Sequence, residues 1–419
     1  MKDYVDVEER LPILKTIPLS LQHLFAMVGA TILVPKLLHM DPSIALFGSG
    51  IGTLIYIICT KAKLPAYVGS SFAFIAPITA VSAQQGLPAA MGGIIAAGLI
   101  YVVFAALIKK FGTDWIDKLL PPVVVGSVVI VIGLGLATTA VNWAGLGEAH
   151  GNIFASKEVW VSLFTLAVAI IGTMFFKGFL GVIPILIALV SGYVLSLFLG
   201  LVDTKEIIEA SWFAIPKFIA PKFSLSAIIA IAPVSIVTIT EHIGHVLVTN
   251  NVCGRDFTKD PGLDRSILGD GLATVAAGLF GAPPNTTYGE NIGVMAITRV
   301  YSVWVIGGAA IIAIILSFVD KVGAILRTIP EPVMGGISIM LFGVIASSGL
   351  RMLVESGVDF SEKRNLIIAS VILVLGIGGA RISFTENFVI EGMAFATFAG
   401  IILNLVLPDT EKQSEEQTE

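Results

Sequence analysis

Four ionisable side chains lie inside stretches of this 419-residue sequence that are otherwise apolar. Three of them form the pattern Glu241-His242-x-x-His245, and the fourth is Glu290. A charged side chain at the centre of a bilayer costs about 2.5–3.5 kcal/mol on insertion scales, so four such groups indicate a polar site. Glu241 and His245 share one face of a helix, because they are four residues apart. We expect Glu241 and Glu290 to bind substrate and His245, with Glu241, to couple protons, while His242 is expected to be structural.

The same segment contains the residue types of a zinc-protease helix, which reads His-Glu-x-x-His with its histidines four residues apart. Here the order is Glu-His-x-x-His, the histidines are three residues apart and no third ligand is evident. Cys59 and Cys253 lie in different segments and match neither a disulfide framework nor a metal cluster. We predict a protein that is not an enzyme and that has no metal or cofactor.

Glu290 stands at the start of an interrupted helix. Pro283 and Pro284 lack amide hydrogens and favour extended backbone before them, so residues 282–287 are predicted to be strand-like. A helix over residues 288–298 would be roughly 16 Å long, whereas the hydrocarbon core is about 30 Å thick. The N-terminus of this half-helix must then lie near the middle of the membrane, where its free amides favour oxygen acceptors.

These groups suggest a substrate by complementarity. Two carboxylates beside the amides of two half-helices, at Phe72 and Gly289, present the order acceptor, donor, acceptor. The complementary edge is N–H, C=O, N–H, and uracil is the smallest common ring that has it. Cytosine lacks the second ring N–H, and such an unpaired polar contact discriminates strongly. Phe72, Phe74 and Tyr288 are expected to supply aromatic walls.

Composition indicates an all-α polytopic membrane protein. The chain is 56% hydrophobic and 13% charged, its mean hydropathy is +0.93, and no charged block suggests a nucleic-acid partner. The excess of lysine and arginine on one side of the predicted segments places both termini in the cytoplasm, with the protein in the cytoplasmic membrane. The fourteen predicted segments are approximately 17–36, 43–60, 66–83, 89–109, 121–142, 158–176, 180–200, 224–249, 265–281, 283–298, 301–318, 331–349, 363–380 and 387–407.

The two halves of the chain resemble each other. Gln22-His23 in the first segment matches Glu241-His242 in the eighth, and the third segment falls on the tenth. Seven segments per repeat is an odd number, so the second repeat must enter the membrane inverted. We therefore expect two inverted repeats of seven segments, with short antiparallel strands and half-helices in segments 3 and 10.

The tenth segment resembles the signature of the nucleobase-ascorbate transporter family, which here reads Glu-Asn-Ile-Gly-Val-Met-Ala-Ile-Thr-Arg over residues 290–299. The resemblance covers almost the whole chain and includes Gln22-His23, residues 69–74 and the segment Glu241-His242-x-x-His245. It implies fourteen segments in two inverted repeats, with segments 1–4 and 8–11 in a core domain and segments 5–7 and 12–14 in a gate domain. It also implies proton symport and a homodimer formed through the gate domains.

The domain boundaries implied in this way divide the chain into five parts. They are the first half of the core domain at 1–118, the first half of the gate domain at 119–200, the second half of the core domain at 201–318, the second half of the gate domain at 319–408 and a cytoplasmic tail at 409–419.

The family resemblance also implies residue roles. Glu241 would bind the N3–H and O4 side of uracil and Glu290 the N1 side, while the amides of Phe72 and Gly289 would bind the O2 carbonyl. His245 would belong to the proton-coupling network and Tyr288 to the pocket. Purine-transporting relatives tend to carry glutamine where this chain has Glu290, which favours uracil. One departure is Phe342, where uracil-transporting relatives carry tyrosine.

The sequence therefore predicts a proton-coupled uracil importer that works by alternating access. Two alternatives stay open, a symporter of xanthine or another nucleobase and a nucleobase uniporter that is independent of protons. An anion transporter of the same architecture is disfavoured, because two carboxylates in the site would repel an anion.

Overall fold

Helices dominate the fold of the chain, which a computed structural model describes over residues 4–147, 156–385 and 388–408. The predicted cytoplasmic tail at 409–419 lies outside these residues. In chain order the first helices are α1 Ile13–Ala26, α2 Val28–Leu37, α3 Pro42–Cys59, α4 Ile75–Gln85, α5 Leu87–Phe111, α6 Asp114–Leu119, α7 Pro122–Leu134, α8 Ala137–Trp143, α9 Lys157–Phe175 and α10 Pro184–Phe198. The following helices are α11 Thr204–Glu209, α12 Leu225–Ile231, α13 Val234–Cys253, α14 Leu263–Phe280, α15 Gly289–Thr298, α16 Val303–Ser317, α17 Asp320–Arg327, α18 Glu331–Glu355, α19 Lys363–Ile377 and α20 Gly392–Val406.

Two pairs of short strands interrupt the helices. β1 Val68–Ser70 pairs antiparallel with β2 Asn285–Thr287, as the sequence predicted. β3 Arg381–Thr385 and β4 Phe388–Glu391 form a second antiparallel pair, which the sequence analysis missed. The last predicted segment, 387–407, therefore begins in a strand, and its helix starts only at Gly392.

Several predicted segments consist of two helices separated by a break. The first one bends by 43° between α1 and α2, where Met27 leaves the helical conformation. The eighth is divided before Pro233, which has no amide hydrogen to continue the hydrogen-bond ladder of α12. The fifth is interrupted after α7, which ends at Leu134 and is followed by Gly135 at its C-cap.

Within the described residues, six helices are long and apolar enough to cross a membrane, or eight if each bent pair is one span. The remaining apolar helices are shorter, such as Pro184–Phe198 and Gly392–Val406. Several apolar spans are thus present, while fourteen crossings and the inverted repeat remain predictions.

The chain divides into two compact units. Met1–Lys109 and Thr138–Met340 form the first unit, and Lys110–Ala137 and Leu341–Glu419 form the second. All the predicted site residues belong to the first unit, whereas Phe342 is a buried residue of α18 in the second. The implied core and gate boundaries remain predictions.

In the first unit α3 packs against α14 and α16, and glycines allow close approach of the backbones. A Cβ atom added at Gly50 would lie 2.6 Å from the carbonyl oxygen of Ala310, and one added at Gly98 would lie 2.7 Å from that of Gly271. Such contacts between small residues are typical of helices packed within membranes. They hold together the helices from which the two strands β1 and β2 emerge.

In the second unit α7 packs against α19 and α20. Asn404 on α20 donates to the carbonyl oxygen of Lys118 at 2.9 Å and accepts from Arg364 on α19 at 2.7 Å. These polar contacts fix the end of α20 to both neighbouring parts of the same unit.

Candidate substrate site

Two short strands, each followed by a short helix, form the frame of the candidate site. Val68 lies opposite Thr287 and Ser70 opposite Asn285. The pairing continues beyond the strands, since the Ser71 amide donates to the Pro284 carbonyl at 2.9 Å. The chain therefore enters both helices from one shared, hydrogen-bonded pair of strands.

We call residues 68–85 the first arm and residues 285–298 the second arm. The first arm passes from β1 through a 3-10 turn at Phe72–Phe74 into α4, and the second passes from β2 directly into α15. The predicted half-helix of the second arm is confirmed, although it begins at Gly289 rather than Tyr288. Helices of 11 and 10 residues are each roughly 15 Å long, about half the thickness of a hydrocarbon core.

Two of the predicted aromatic and backbone groups lie where the arms meet. Phe72 is half-buried and packs against an apolar cluster that includes Leu24, Met27 and Tyr288. Tyr288 is 5% exposed, and its phenol donates to the Ser70 carbonyl oxygen at 3.0 Å. Tyr288 thus joins the second arm to the first, in addition to the pocket role predicted for it.

The predicted ionisable residues come together from α13 and α15, which pack against each other. Glu241 on α13 is half-buried, and the helix it lies on packs against the helix that carries Glu290. Glu290 is exposed, in the first turn of α15, and accepts a hydrogen bond from its own amide. A Cβ atom added at Gly289 would lie 3.3 Å from Nε2 of His245, so His245 faces the start of the same helix.

One hydroxyl connects the two histidines of α13 to the second arm. Oγ1 of Thr287 lies 3.1 Å from Nδ1 of His242 and 3.1 Å from Nδ1 of His245. A hydroxyl has a single hydrogen to donate, so at least one of these rings must carry its own hydrogen on Nδ1. The protonation of His242 and that of His245 are therefore linked through Thr287.

Asp270 is a buried acid that the sequence analysis did not assign to the site. It lies on α14, is 0% exposed, and its Oδ2 is 3.4 Å from Nδ1 of His242. The signal was present in the sequence, because Asp270 is an acid within the apolar segment 265–281.

His242 and His23, for which we expect structural roles, are each held by hydrogen bonds. Both are buried, and Nε2 of His242 lies 2.6 Å from the hydroxyl of Ser266 on α14. Asn291 on the second arm donates to Nδ1 of His23 at 3.0 Å and to the His23 carbonyl oxygen at 3.2 Å. These bonds fasten the second arm to α1. In the described part of the chain, no group of three or more His, Cys, Asp or Glu residues is placed to hold a metal ion.

Solved structures with this fold are membrane transporters. The transmembrane domain of the cyanobacterial bicarbonate transporter BicA matches with a TM-score of 0.63 at 14% identity, over 95% of this chain and 99% of that domain. SLC26A9 matches with a TM-score of 0.72 at 13% identity, over 97% of this chain and 65% of its own. Together with the apolar helices, these matches identify a multi-pass membrane protein.

Sequence relatives are much nearer and are named as permeases. The uracil permease of Paenibacillus larvae is 53% identical over 409 residues, which cover 97% of both chains. The uracil permease of Bacillus subtilis is 52% identical over 96% of this chain and 94% of its own, and that of Escherichia coli K12 is 52% identical over 96% and 93%. Permeases are transporters rather than enzymes. The sequence model Xan_ur_permease, described as "Permease family", matches residues 14–384, and the chain therefore belongs to the nucleobase-ascorbate transporter family.

Proposed function

We propose that this protein imports uracil together with a proton across the cytoplasmic membrane, by alternating access. The observation that carries the proposal is the packing of α13, which holds Glu241 and His245, against α15, which has Gly289 and Glu290 in its first turn. Two carboxylate acceptors then flank backbone donors, and the N–H, C=O, N–H edge of uracil complements that arrangement. The relatives named as uracil permeases, which are 52–53% identical, support the same substrate.

In this proposal each polar group of uracil has a partner. Glu241 accepts from N3–H and lies on the O4 side, and Glu290 accepts from N1–H. The amides of Phe72 and Gly289 donate to O2, since the first turn of a helix has amides without partners inside the helix. Phe72 and Tyr288 border the ring.

Proton coupling is assigned to His245 and Glu241. Protonation at this pair would lower the cost of an empty site that holds two carboxylates, and so permit uracil to bind from outside. His245 is also bonded to Thr287, the residue that leads into the second arm. A change in the ring of His245 is thereby transmitted to the arm that carries Glu290.

The proposal includes the architecture that the family resemblance implies. Fourteen segments form two inverted repeats, the core domain moves against the gate domain, and both termini lie in the cytoplasm. The gate domains form a homodimer. Crosslinking of the protein in native membranes tests the homodimer, and labelling of cysteines introduced at the two ends of the chain tests the location of the termini.

The substrate assignment is tested by binding of radiolabelled uracil to the purified protein, with Glu241→Gln and Glu290→Gln beside the wild type. Each substitution keeps an acceptor oxygen but removes the negative charge that strengthens its hydrogen bond from a ring N–H by about 1–2 kcal/mol, so uracil affinity should fall by roughly 10-fold or more. Glu209→Gln is the matched control, because Glu209 is exposed on α11. Displacement of uracil by xanthine, or full binding in both site variants, would refute the assignment.

Proton coupling is tested by uptake into proteoliposomes with an imposed pH gradient. Uptake should accelerate when the outside is acidic, and His245→Asn should lose this response while His39→Asn, which changes an exposed histidine, keeps it. Uptake that ignores the gradient in the wild type would leave a uniporter as the correct mechanism.

A further inference from the structure

Residues 4–10, which we call the N-terminal strap, form an extension of backbone pairing at the far end of the second arm. The Val5 amide donates to the Arg299 carbonyl at 2.9 Å, and the Tyr301 amide donates back to the Val5 carbonyl at 2.9 Å. Two residues further along both segments, the Val303 amide donates to the carbonyl of Val7, and the side chain of Val7 is 0% exposed. The strap is therefore an ordered segment that is hydrogen-bonded to the rest of the first unit.

Arg299 is the residue that directs the chain from α15 into this pairing. It has a φ of 57°, in the left-handed region that few residues other than glycine adopt. Its carbonyl then points to the Val5 amide. The strap holds the carbonyl end of the helix that has Glu290 in its first turn.

Arg255, just beyond the end of α13, connects a second site helix to the same strap. Its Nη2 lies 2.8 Å from Oδ1 of Asp6, and its Nη1 lies 2.8 Å from Oε1 of Glu8. The hydrogen bond to Glu8 is the largest cause that raises the pKa of Arg255 above its ordinary value. The planar guanidinium thus reaches two carboxylates of the strap at once, which a single ammonium group does less well.

The strap therefore contacts the C-terminal ends of both α13 and α15, the helices that carry Glu241 and Glu290. Glu241 lies on α13, about 21 Å from Arg255 along the helix, and Glu290 lies about 14 Å from Arg299 along α15, at 1.5 Å per residue. Packed helices move as stiff bodies, so a displacement of either end is passed to the carboxylate it carries.

We propose that the N-terminal strap sets the separation of Glu241 and Glu290, and that Arg255, Asp6 and Glu8 are positioning residues for the uracil site. This inference rests on the proposed function. The side chains of these residues are 37%, 23% and 52% exposed. Exposed ion pairs contribute little to global stability and are screened by salt. Their loss should consequently change binding more than it changes the stability of the fold.

The test compares Arg255→Gln with Lys63→Gln, which removes another ion pair of the first unit, to Asp260, at a distance of 2.6 Å. The dissociation constant for uracil should rise about 5–10-fold in Arg255→Gln, which is within the usual range for coupling between two distant sites. It should stay unchanged in Lys63→Gln. The melting temperatures of both variants should stay close to that of the wild type. The charge-exchanged protein, Arg255→Glu with Glu8→Arg, should recover part of the lost affinity.

A second measurement does not need uracil. Spin labels at cysteines introduced for Leu247 on α13 and Ile297 on α15, which are 50% and 56% exposed, report the distance between the two helices. Cys59 and Cys253 are replaced by serine in this background. The distance distribution should broaden in Arg255→Gln and not in Lys63→Gln.

Weaker binding together with a broader distribution supports the strap as a positioning element. Affinity within twofold of the wild type, an equal loss in Lys63→Gln, or an unchanged distribution would each overturn it. If the wild type bound no uracil, the proposed function would fail, and an unchanged distribution would then refute the strap by itself.

Discussion

The two arms share a backbone design and differ in the side chains attached to it. Each arm is a three-residue strand followed by a helix too short to cross a membrane. The first arm holds only uncharged residues. The second arm carries Glu290 and also Thr287 and Asn291, which bond to histidines on α13 and α1.

The far ends of the arms differ in the same way. The first arm ends at Gln85, which accepts from Ser224 at 2.6 Å and donates to Ser226 at 3.0 Å. The second arm ends at the charged N-terminal strap. The first arm therefore has only neutral groups, both at the site and at its far end. The second arm brings the carboxylate of Glu290 to the site and is held by hydrogen bonds along its length.

The largest effect is expected where the arms touch. Gly69 has no side chain, and a Cβ atom added there would lie 2.7 Å from the ring of Tyr288. Overpacking of this kind costs typically 1–3 kcal/mol, so Gly69→Ala should destabilise the protein by about 3 kcal/mol and displace Tyr288. Thermal unfolding in detergent and uracil binding both report the change.

Gly293→Ala on α15 is the matched control, because a Cβ atom added there has no neighbour within 4 Å. Equal melting temperatures for the two variants would show that Gly69 and Tyr288 are not tightly packed, and would refute a close contact between the two arms.

A smaller effect separates two adjacent threonines of the second arm. Thr287 bonds to His242 and His245, whereas the hydroxyl of its buried neighbour Thr286 has no hydrogen-bond partner. Thr287→Val removes the hydroxyl that bonds to both rings and should cost about 2 kcal/mol, while Thr286→Val should be neutral or stabilising. Thr287→Val should also weaken the response of uptake to a pH gradient. If Thr286→Val were as damaging as Thr287→Val, the bridge between the histidines would have no special role.

The smallest effect is expected from the loss of hydrogen bonds made by an uncharged side chain in each arm. Asn291→Ala removes two buried hydrogen bonds to His23, and Gln85→Ala removes two half-buried ones to Ser224 and Ser226. Each substitution should lower the free energy of unfolding by about 1 kcal/mol. The decrease should be larger for Asn291→Ala, because its hydrogen-bond partners are shielded from water. The order of the two melting temperatures checks this. A larger drop for Gln85→Ala would mean that the first arm is the more tightly held.

The second arm was predictable because its signals are local. Pro283 and Pro284 exclude helix, and the chain between them and Arg299 is too short to span a bilayer, so both the strand and the half-helix follow from the sequence. The helix begins one residue later than predicted, at Gly289, and the strand begins at Asn285, three residues after the start of the predicted strand-like stretch. The bend at Met27 was not predicted, because Gly29 lies two residues further on but glycine is common in membrane helices and does not by itself specify a bend. The packing of helices that are distant in sequence cannot be deduced from local residues.

The contacts of the site were only partly predictable for the same reason. Helical spacing placed Glu241 and His245 on one face, but it could not place Asp270 beside His242, because that contact depends on how α14 lies against α13. Similarly, the hydroxyl of Thr287 bonds to rings that lie more than 40 positions earlier in the chain.

The pairing of the N-terminal strap has a consequence for the order of events during synthesis. The Trp304 indole donates to the carbonyl of Glu8, a residue made 296 positions earlier. At about 5–20 residues per second, the strap must wait roughly 15–60 s on the ribosome before its partners exist. Residues of the strap, which are translated long before their partners, are thus among the last to reach their final contacts. A bulky tag fused ahead of Tyr4 should leave insertion into the membrane intact and impair the final assembly of the site.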